Sequence, residues 1–323
     1  MSAAGGAAIM DLRVLILAGG MSYEHEVSLK SGRRVAAALQ RQGMACEIRD
    51  LDGELLPTLQ DFPPDVVIPL VHGAPGEDGS LRGVLELSDV PFIGTGAVGS
   101  RRAWNKSAAK DLLRSSGLPT ADWTVMPRQA FSDFGARKLL DRIIAKVGLP
   151  LVVKPNSGGS GLGVQPVHKE DDFASAMMGC FSYSDEALVE TFVEGRDIAV
   201  GVVDLGEGPI ALPPVEITPL LGDYDYAARY NPGATRWTVP AHLDPAVADH
   251  IAEVAVAVHQ TLGLRDISRI DLMVDGAGSI QILEANVAPG MTETSLLPMA
   301  IEAAGMDVGE TLTQMVNLAL DRA

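Results

Sequence analysis

The sequence predicts an α/β chain, and three observations carry the prediction. Short apolar runs alternate with stretches of helical periodicity through residues 1–95. A glycine-rich loop, NSGGSGLG, follows a strand-like LVVK run. A polar hairpin, ISRIDLMVDGAGSIQILEAN, lies close to the C-terminus. With 323 residues, the chain is long enough for about two domains or for one core with insertions.

Each element follows in order. Arg13 to Ala18 is an apolar run ending in Gly19-Gly20, and Leu29, Val35, Ala36 and Leu39 then recur at near-helical spacing up to Gly43, which reads as strand, loop and helix. Strands at Cys46 to Asp50 and Val66 to Leu70, and a short helix before VPFIG, continue the alternation and predict a parallel sheet. Ligands of such sheets bind beyond the carboxyl ends of the strands, so GGMSYEHE and HGAPGEDG should share an edge, with Glu24, His72 and Glu77 as neighbours. From about Gly96 the pattern changes to a helix with Trp104, Lys106 and Lys110, the strand WTVM, a helix near Arg137 to Lys146, and LVVK with its loop. A third segment opens near Leu188. It holds a polar, aromatic stretch from Glu216 to Val239, a helix with Val247, Ile251, Val254, Val258 and Leu262 on one face, then the hairpin and a terminal helix. The expected units are 1–95, 96–189 and 190–323, with no internal repeat.

Composition bounds the function. Apolar residues make up 47% and charged residues 21%, enough for a sizeable core. Twenty-five Lys and Arg against 42 Asp and Glu give a net charge of -17, which disfavours nucleic acid and anionic membrane surfaces as partners. Cys46 and Cys180, in no metal-binding spacing, are expected to be buried reduced thiols. The apolar start carries Asp11 and Arg13 and lacks a basic leader, so neither a signal peptide nor a membrane span fits and a cytoplasmic protein is expected.

Two segments carry chemistry. Asn156 to Gly163 follows Lys154 and precedes another strand, unlike a phosphate loop that opens a helix; it reads either as a lid whose N–H groups close on phosphates or as a mobile hairpin turn. In the polar hairpin, a period of two puts Arg269 and Asp271 on one face of the first strand and Glu284 and Asn286 on one face of the second. If the faces coincide, the oxygens suit Mg²⁺ with substrate phosphates and Arg269 faces a transferring phosphoryl group; a solvated hairpin face is the competing reading. Tyr224, Tyr226 and Tyr230 lie in a long stretch that fits a site cover or a satellite apolar cluster. Among the histidines only His72 lies in a glycine-rich strand-end loop; His25, His168, His242, His250 and His259 read as ordinary surface or core residues.

Taken together, GGMSYEHEVSLKSG, HGAPGEDGSLRGVLE, VVKPNSGGSGLGV, YDYAARY, RIDLMVD and LEANVAPGMTETSLLP, in this order, resemble the D-alanine–D-alanine ligases of the ATP-grasp superfamily over nearly the whole chain. The resemblance implies an ATP-grasp fold: an N-terminal parallel α/β domain followed by two α+β subdomains that sandwich ATP. It also implies ATP-dependent joining of two D-alanines through an acyl phosphate for peptidoglycan precursors, in a cytoplasmic homodimer. By resemblance, Lys106 and Lys154 bind ATP phosphates, and Glu190, Phe192, Val193 and Asp197 complete the nucleotide site. Asp271, Glu284 and Asn286 hold two Mg²⁺ ions, with Mn²⁺ as a substitute. Arg269 and the Gly290 N–H match the oxyanion donors, and Glu24 the group that orients the first ammonium, with Ser160 and Tyr230 beside it. Ser295 and Leu296 match the pocket for the second carboxylate, and His72 is assigned to substrate.

Five places depart from the family pattern: Trp104-Asn105 for Met-Asp, Thr191 for Lys, Asp197 for Glu, Arg229 for Lys, and Gly161 for the second Ser of the lid. They leave a ligase of other amino acids, in secondary metabolism, as the alternative. A binding module without turnover is a reading from another class, and a dinucleotide oxidoreductase is the weakest, since LAGGMS lacks GxGxxG spacing.

Overall fold

The computed structural model describes residues 12–61, 63–220, 229 and 233–322. Tyr224, Tyr226 and Tyr230 lie outside the described residues. The chain opens with β1 (Arg13–Ala18), α1 (His25–Arg41), β2 (Ala45–Asp50), α2 (Leu55–Asp61), β3 (Val66–Pro69) and α3 (Ser80–Leu87). The three strands form a parallel sheet in the order β2-β1-β3. After the exposed Arg13, VLILA is apolar throughout because both of its faces are covered. Val14 and Ile16 face one core with Val35 and Leu39, while Leu15 and Leu17 face another with Leu59, Leu81 and Leu85.

The single helix expected around Trp104 to Lys110 is two, α4 (Ala97–Trp104) and α5 (Lys106–Ser115). Asn105 between them is extended, at φ -86 and ψ 101, and its side chain accepts from the Ala108 N–H, capping α5. Ala103, Ala109 and Leu113 pack into a core with Ile251, Val254 and Val258. That core lies under the third sheet, so these helices do not belong with the four strands that follow them in sequence.

Next come β4 (Trp123–Pro127), α6 (Arg128–Phe134), α7 (Ala136–Val147), β5 (Leu151–Pro155), β6 (Gln165–Val167), α8 (Glu170–Cys180) and β7 (Glu186–Thr191). The strands form an antiparallel sheet, β4-β7-β5-β6, over a core that includes Ile143, Val153, Phe173 and Val189. The boundary expected between 189 and 190 therefore falls inside β7, whose ladder with β5 runs to Thr191.

The remainder is β8 (Arg196–Asp204), β9 (Pro209–Ala211), β10 (Val215–Pro219), β11 (Thr235–Thr238), α9 (Pro245–Leu262), β12 (Ile267–Val274), β13 (Ile280–Asn286), α10 (Leu296–Ala303) and α11 (Val308–Asp321). The six strands form an antiparallel sheet ordered β11-β10-β8-β12-β13, with β9 on β8. The ends of the polar, aromatic stretch are thus paired strands, Glu216 opposite Thr238 and Pro219 opposite Thr235. Along β12 the alternation is strict: Ile270, Leu272 and Val274 are buried with Ile251, Val258 and Leu262 of α9, while Arg269 and Asp271 take the other face. The C-terminal helix returns to the first sheet, where Met315, Val316 and Ala319 complete the core around Val14 and Ile16. Cys180 is buried as expected; Cys46 is only half-buried, since β2 is an edge strand. Among the described residues, no helix is long and apolar enough to cross a membrane.

Candidate active site

Two cavities meet where the three sheets converge. The larger, about 510 Å³, lies between the four-stranded and six-stranded sheets, with Val152, Phe192, Met273 and Leu283 among its apolar walls. The smaller, about 90 Å³, lies at the carboxyl edge of the parallel sheet, the place such sheets offer to ligands. Lys106, Gly158, Gly159, Arg229 and Glu284 line both. Each sequence-predicted site residue that the structure describes lines one cavity or both. Glu24, His72, Ser160, Arg269, Asn286, Gly290, Ser295 and Leu296 face the smaller; Lys154, Glu190, Phe192, Val193, Asp197 and Asp271 face the larger.

The polar hairpin brings its two faces together. Arg269 pairs with Asn286 and Asp271 with Glu284 across the β12–β13 ladder, after which a bulge shifts the register. Arg269 is a fork on Asp271, Nε to Oδ1 and Nη2 to Oδ2 both 2.7 Å, which fixes the plane of the guanidinium. Glu284 takes a different cation: Lys106 Nζ lies 3.1 Å from its Oε2 and also donates to the Gly158 carbonyl at 2.6 Å. Burial works against the charge on Glu284, but Lys106 and Lys154 overcome it and bring the carboxyl down to about 2. The Asn286 amide oxygen accepts from the Ala288 N–H at 2.8 Å, which orients that side chain. Two carboxylates and an amide on one face are the donor types that Mg²⁺ takes, so the residues fit the ion once Lys106 and Arg269 share their partners with it.

In the larger cavity, Glu190 is held between two lysines. Lys154 Nζ is 2.5 Å from Oε1 and Lys110 Nζ 2.9 Å from Oε2. Burial raises the cost of its charge, yet Lys154 and Lys110 keep the carboxyl below its ordinary value. Lys110 had no role in the sequence reading; the signal for it was its spacing of four from Lys106, which puts both on one face of α5. Arg196 and Glu216 were missed as well, and form a bidentate pair at 2.7 and 2.6 Å on the cavity wall. Asp197, standing where the family pattern has Glu, is pushed up to about 7 by burial and by Asp271.

Around the smaller cavity, the lid loop touches the first sheet. The Ser160 hydroxyl donates to Glu24 Oε1, and Ser160 itself sits at φ 54, a conformation costly for a side-chain-bearing residue. The next residue, Gly161, is at φ 71, which explains why glycine suits the position that usually carries the second Ser. Burial keeps His72 neutral, its pKa lowered to about 4; its Nε2 lies 3.2 Å from the Ser31 hydroxyl, which also accepts from the Met291 N–H. Ser31 thus ties α1 to both His72 and the loop before α10. In that loop Thr292 N–H donates to Ser295 Oγ at 2.9 Å, and a Cβ on Gly290 would stand 2.7 Å from the same oxygen, so a side chain there would displace the Ser295 hydroxyl from its bond. Leu296 begins α10, whose N-terminal N–H groups favour an anion. Glu77, a candidate neighbour with no assigned role, is buried there too, and burial next to Glu24 pushes its carboxyl up to about 8.

Comparison with known proteins follows the same lines. A family model described as "D-ala D-ala ligase C-terminus" matches residues 112–317. The D-alanine–D-alanine ligase of Pelotomaculum thermopropionicum is 36% identical over 312 residues, covering 97% of this chain and 98% of the relative. Among solved structures, the D-alanine–D-alanine ligase of Coxiella burnetii superposes with a TM-score of 0.81 at 27% identity, covering 97% of this chain and 95% of that one. The Bacillus anthracis ligase complexed with ATP superposes with a TM-score of 0.78 at 28% identity, covering 96% and 97%.

Proposed function

Because the chain belongs to the D-alanine–D-alanine ligase family, we propose that it joins two D-alanines into D-alanyl-D-alanine with hydrolysis of ATP to ADP and phosphate. The observation that carries the reading is the meeting of the two cavities at Lys106 and Glu284, where a phosphoryl donor in one would reach a carboxylate in the other.

Lys106 and Lys154 meet the phosphates of ATP, while Glu190, Phe192, Val193 and Asp197 line the rest of its cavity. Glu24 receives the ammonium of the first D-alanine, whose carboxylate attacks the γ-phosphorus to give an acyl phosphate. Asp271, Glu284 and Asn286 would hold Mg²⁺, which when bound supplies charge neutralisation between the phosphates. The second D-alanine sets its carboxylate at Ser295 and Leu296, and its amine attacks the acyl carbon. Arg269 and the Gly290 N–H are preorganised donors for the oxygen that becomes negative. The Ser160 contact with Glu24, with Tyr230 assigned beside it, closes the lid and keeps water from the acyl phosphate. The dipeptide serves peptidoglycan precursor synthesis, and the ATP requirement places the reaction in the cytoplasm. A homodimer built through the N-terminal domain completes the reading.

The test is to incubate the full chain with ATP, Mg²⁺ and D-alanine, following phosphate release and dipeptide mass. Dipeptide at roughly 1 per second or faster is expected. Glu284→Ala should lower that rate at least about 100-fold with little change in melting temperature. Turnover with another amino acid but not with D-alanine would overturn the substrate assignment.

A further inference from the structure

Glu77 is a buried carboxylate in the smaller cavity that the reaction above leaves unused. It stands on the turn between β3 and α3, 6% exposed, and its backbone N–H donates to the Gly73 carbonyl at 2.9 Å. Its carboxylate accepts from the Gly73 N–H and has no salt-bridge partner among the described residues. A Cβ built on the lid residue Gly159 would lie 3.4 Å from Glu77 Oε2 and 3.5 Å from Glu24 Oε2, so the two carboxylates close on one point. Glu24 is already engaged by the Ser160 hydroxyl. The cavity therefore presents two carboxylates to a reaction that brings in two ammonium groups.

We propose that Glu77 receives the ammonium of the second amino acid and accepts its proton, releasing the neutral amine that attacks the acyl phosphate. The inference rests on the ligation reading. In the step, an N–H bond of the ammonium breaks and an O–H bond forms on Glu77. The freed nitrogen lone pair bonds the acyl carbon, and collapse of the tetrahedral intermediate breaks the C–O bond to phosphate, which leaves with the second proton of the nitrogen. The amide keeps the third. The groups facing Glu77 are Glu24 before α1, His72 after β3, Lys106 of α5, Arg229, Arg269 of β12 and Glu284 of β13. Burial and Glu24 raise the proton affinity of Glu77 toward that of an amine, which makes the transfer less uphill. Burial raises Glu24 as well, but its carboxylate is already occupied by the Ser160 hydroxyl, which opposes that rise.

The experiment compares wild type and Glu77→Gln with ATP, Mg²⁺ and D-alanine as acyl donor, and two acceptors: D-alanine, an ammonium at pH 7, and hydroxylamine, which is uncharged there and requires no base. The variant should lose dipeptide formation about 100-fold or more at pH 7 while forming D-alanine hydroxamate within about 3-fold of wild type. Its dipeptide rate should recover as pH is raised and free amine accumulates. Dipeptide formation within 3-fold of wild type, or an equal loss of both products, would overturn the proposal; where Glu77→Gln fails to fold, Glu77→Asp is judged by the same ratio. A wild-type protein that makes no dipeptide at all would instead strike the ligation reading itself.

Discussion

At the scale of single residues, Lys110 shows how a side chain that meets no ligand can set one that does. It is 1% exposed, and burial brings its ammonium down to about 8 even with Glu190 beside it. Its Nζ contacts Glu190, the Thr120 hydroxyl and, at 5.2 Å, the face of Trp123. The Thr120 hydroxyl in turn donates to the Ile282 carbonyl at 3.1 Å, so Glu190 is referenced to β13 as well as to β5. Lys110→Met should leave Glu190 held from one side and raise KM for ATP by about tenfold, the equivalent of ~1.4 kcal/mol, with a smaller change in kcat. Lys110→Arg should not restore it, because a planar fork does not fit a site built around a compact ammonium. Steady-state kinetics at varied ATP checks both. Lys106 and Lys110 could be placed on one helix face from their spacing, but that Lys110 meets Glu190 while Lys106 meets Glu284 could not, since the two carboxylates come from different sheets.

At the scale of elements, alternation was legible and interruption was not. The period of two along β12 and β13 placed Arg269, Asp271, Glu284 and Asn286 on the face they occupy, because one side of that sheet must be apolar to receive α9. The break between α4 and α5 had no proline or glycine to announce it. It exists because Asn105 leaves helical geometry to bridge Ser157 of the lid loop, and its side chain then caps the next helix through Ala108 and Ser107. The same bend allows the Lys106 N–H to reach the Asn156 carbonyl at 2.8 Å, so the cap sits directly under the lysine of both cavities. Asn105→Ala should lower stability by about 1 kcal/mol through the lost cap and also raise KM for ATP. Asn105→Asp, whose carboxylate caps equally well, should leave both near wild type; thermal melts and ATP titrations of the two variants decide it.

At the scale of the whole molecule, the C-terminus and the first sheet are clasped through one buried carboxylate. Asp266, 2% exposed, accepts from the Gly94 N–H at 2.7 Å and from both ends of the Arg322 guanidinium at 2.8 Å, while Arg265 Nε donates to the Gly94 carbonyl at 2.7 Å. The strand β12, the residues leading into α4 and the end of α11 thus meet at one carboxylate. Arg322 is partly exposed, so screening reduces its contribution. Arg322→Ala should cost about 1–3 kcal/mol, read as a lower melting temperature with kcat for D-alanine close to wild type. A loss of kcat as large as the loss of stability would show that the clasp also sets the geometry of the smaller cavity.

The sequence by itself determined the strands of the first sheet, the strands WTVM and LVVK, the two faces of the polar hairpin, and the order of motifs that assigns the chain to its family. Local periodicity and turn chemistry are properties of neighbouring residues, and they survive being read one segment at a time. Only the tertiary structure decided that Lys106 takes Glu284 while Arg269 takes Asp271, that α4 and α5 pack under the third sheet, that Cys46 lies at a sheet edge, and that Glu77 is buried with no salt-bridge partner among the described residues. Each of those depends on segments far apart in the chain closing on one another, and burial, the quantity that sets the charge state of these groups, has no value until they do.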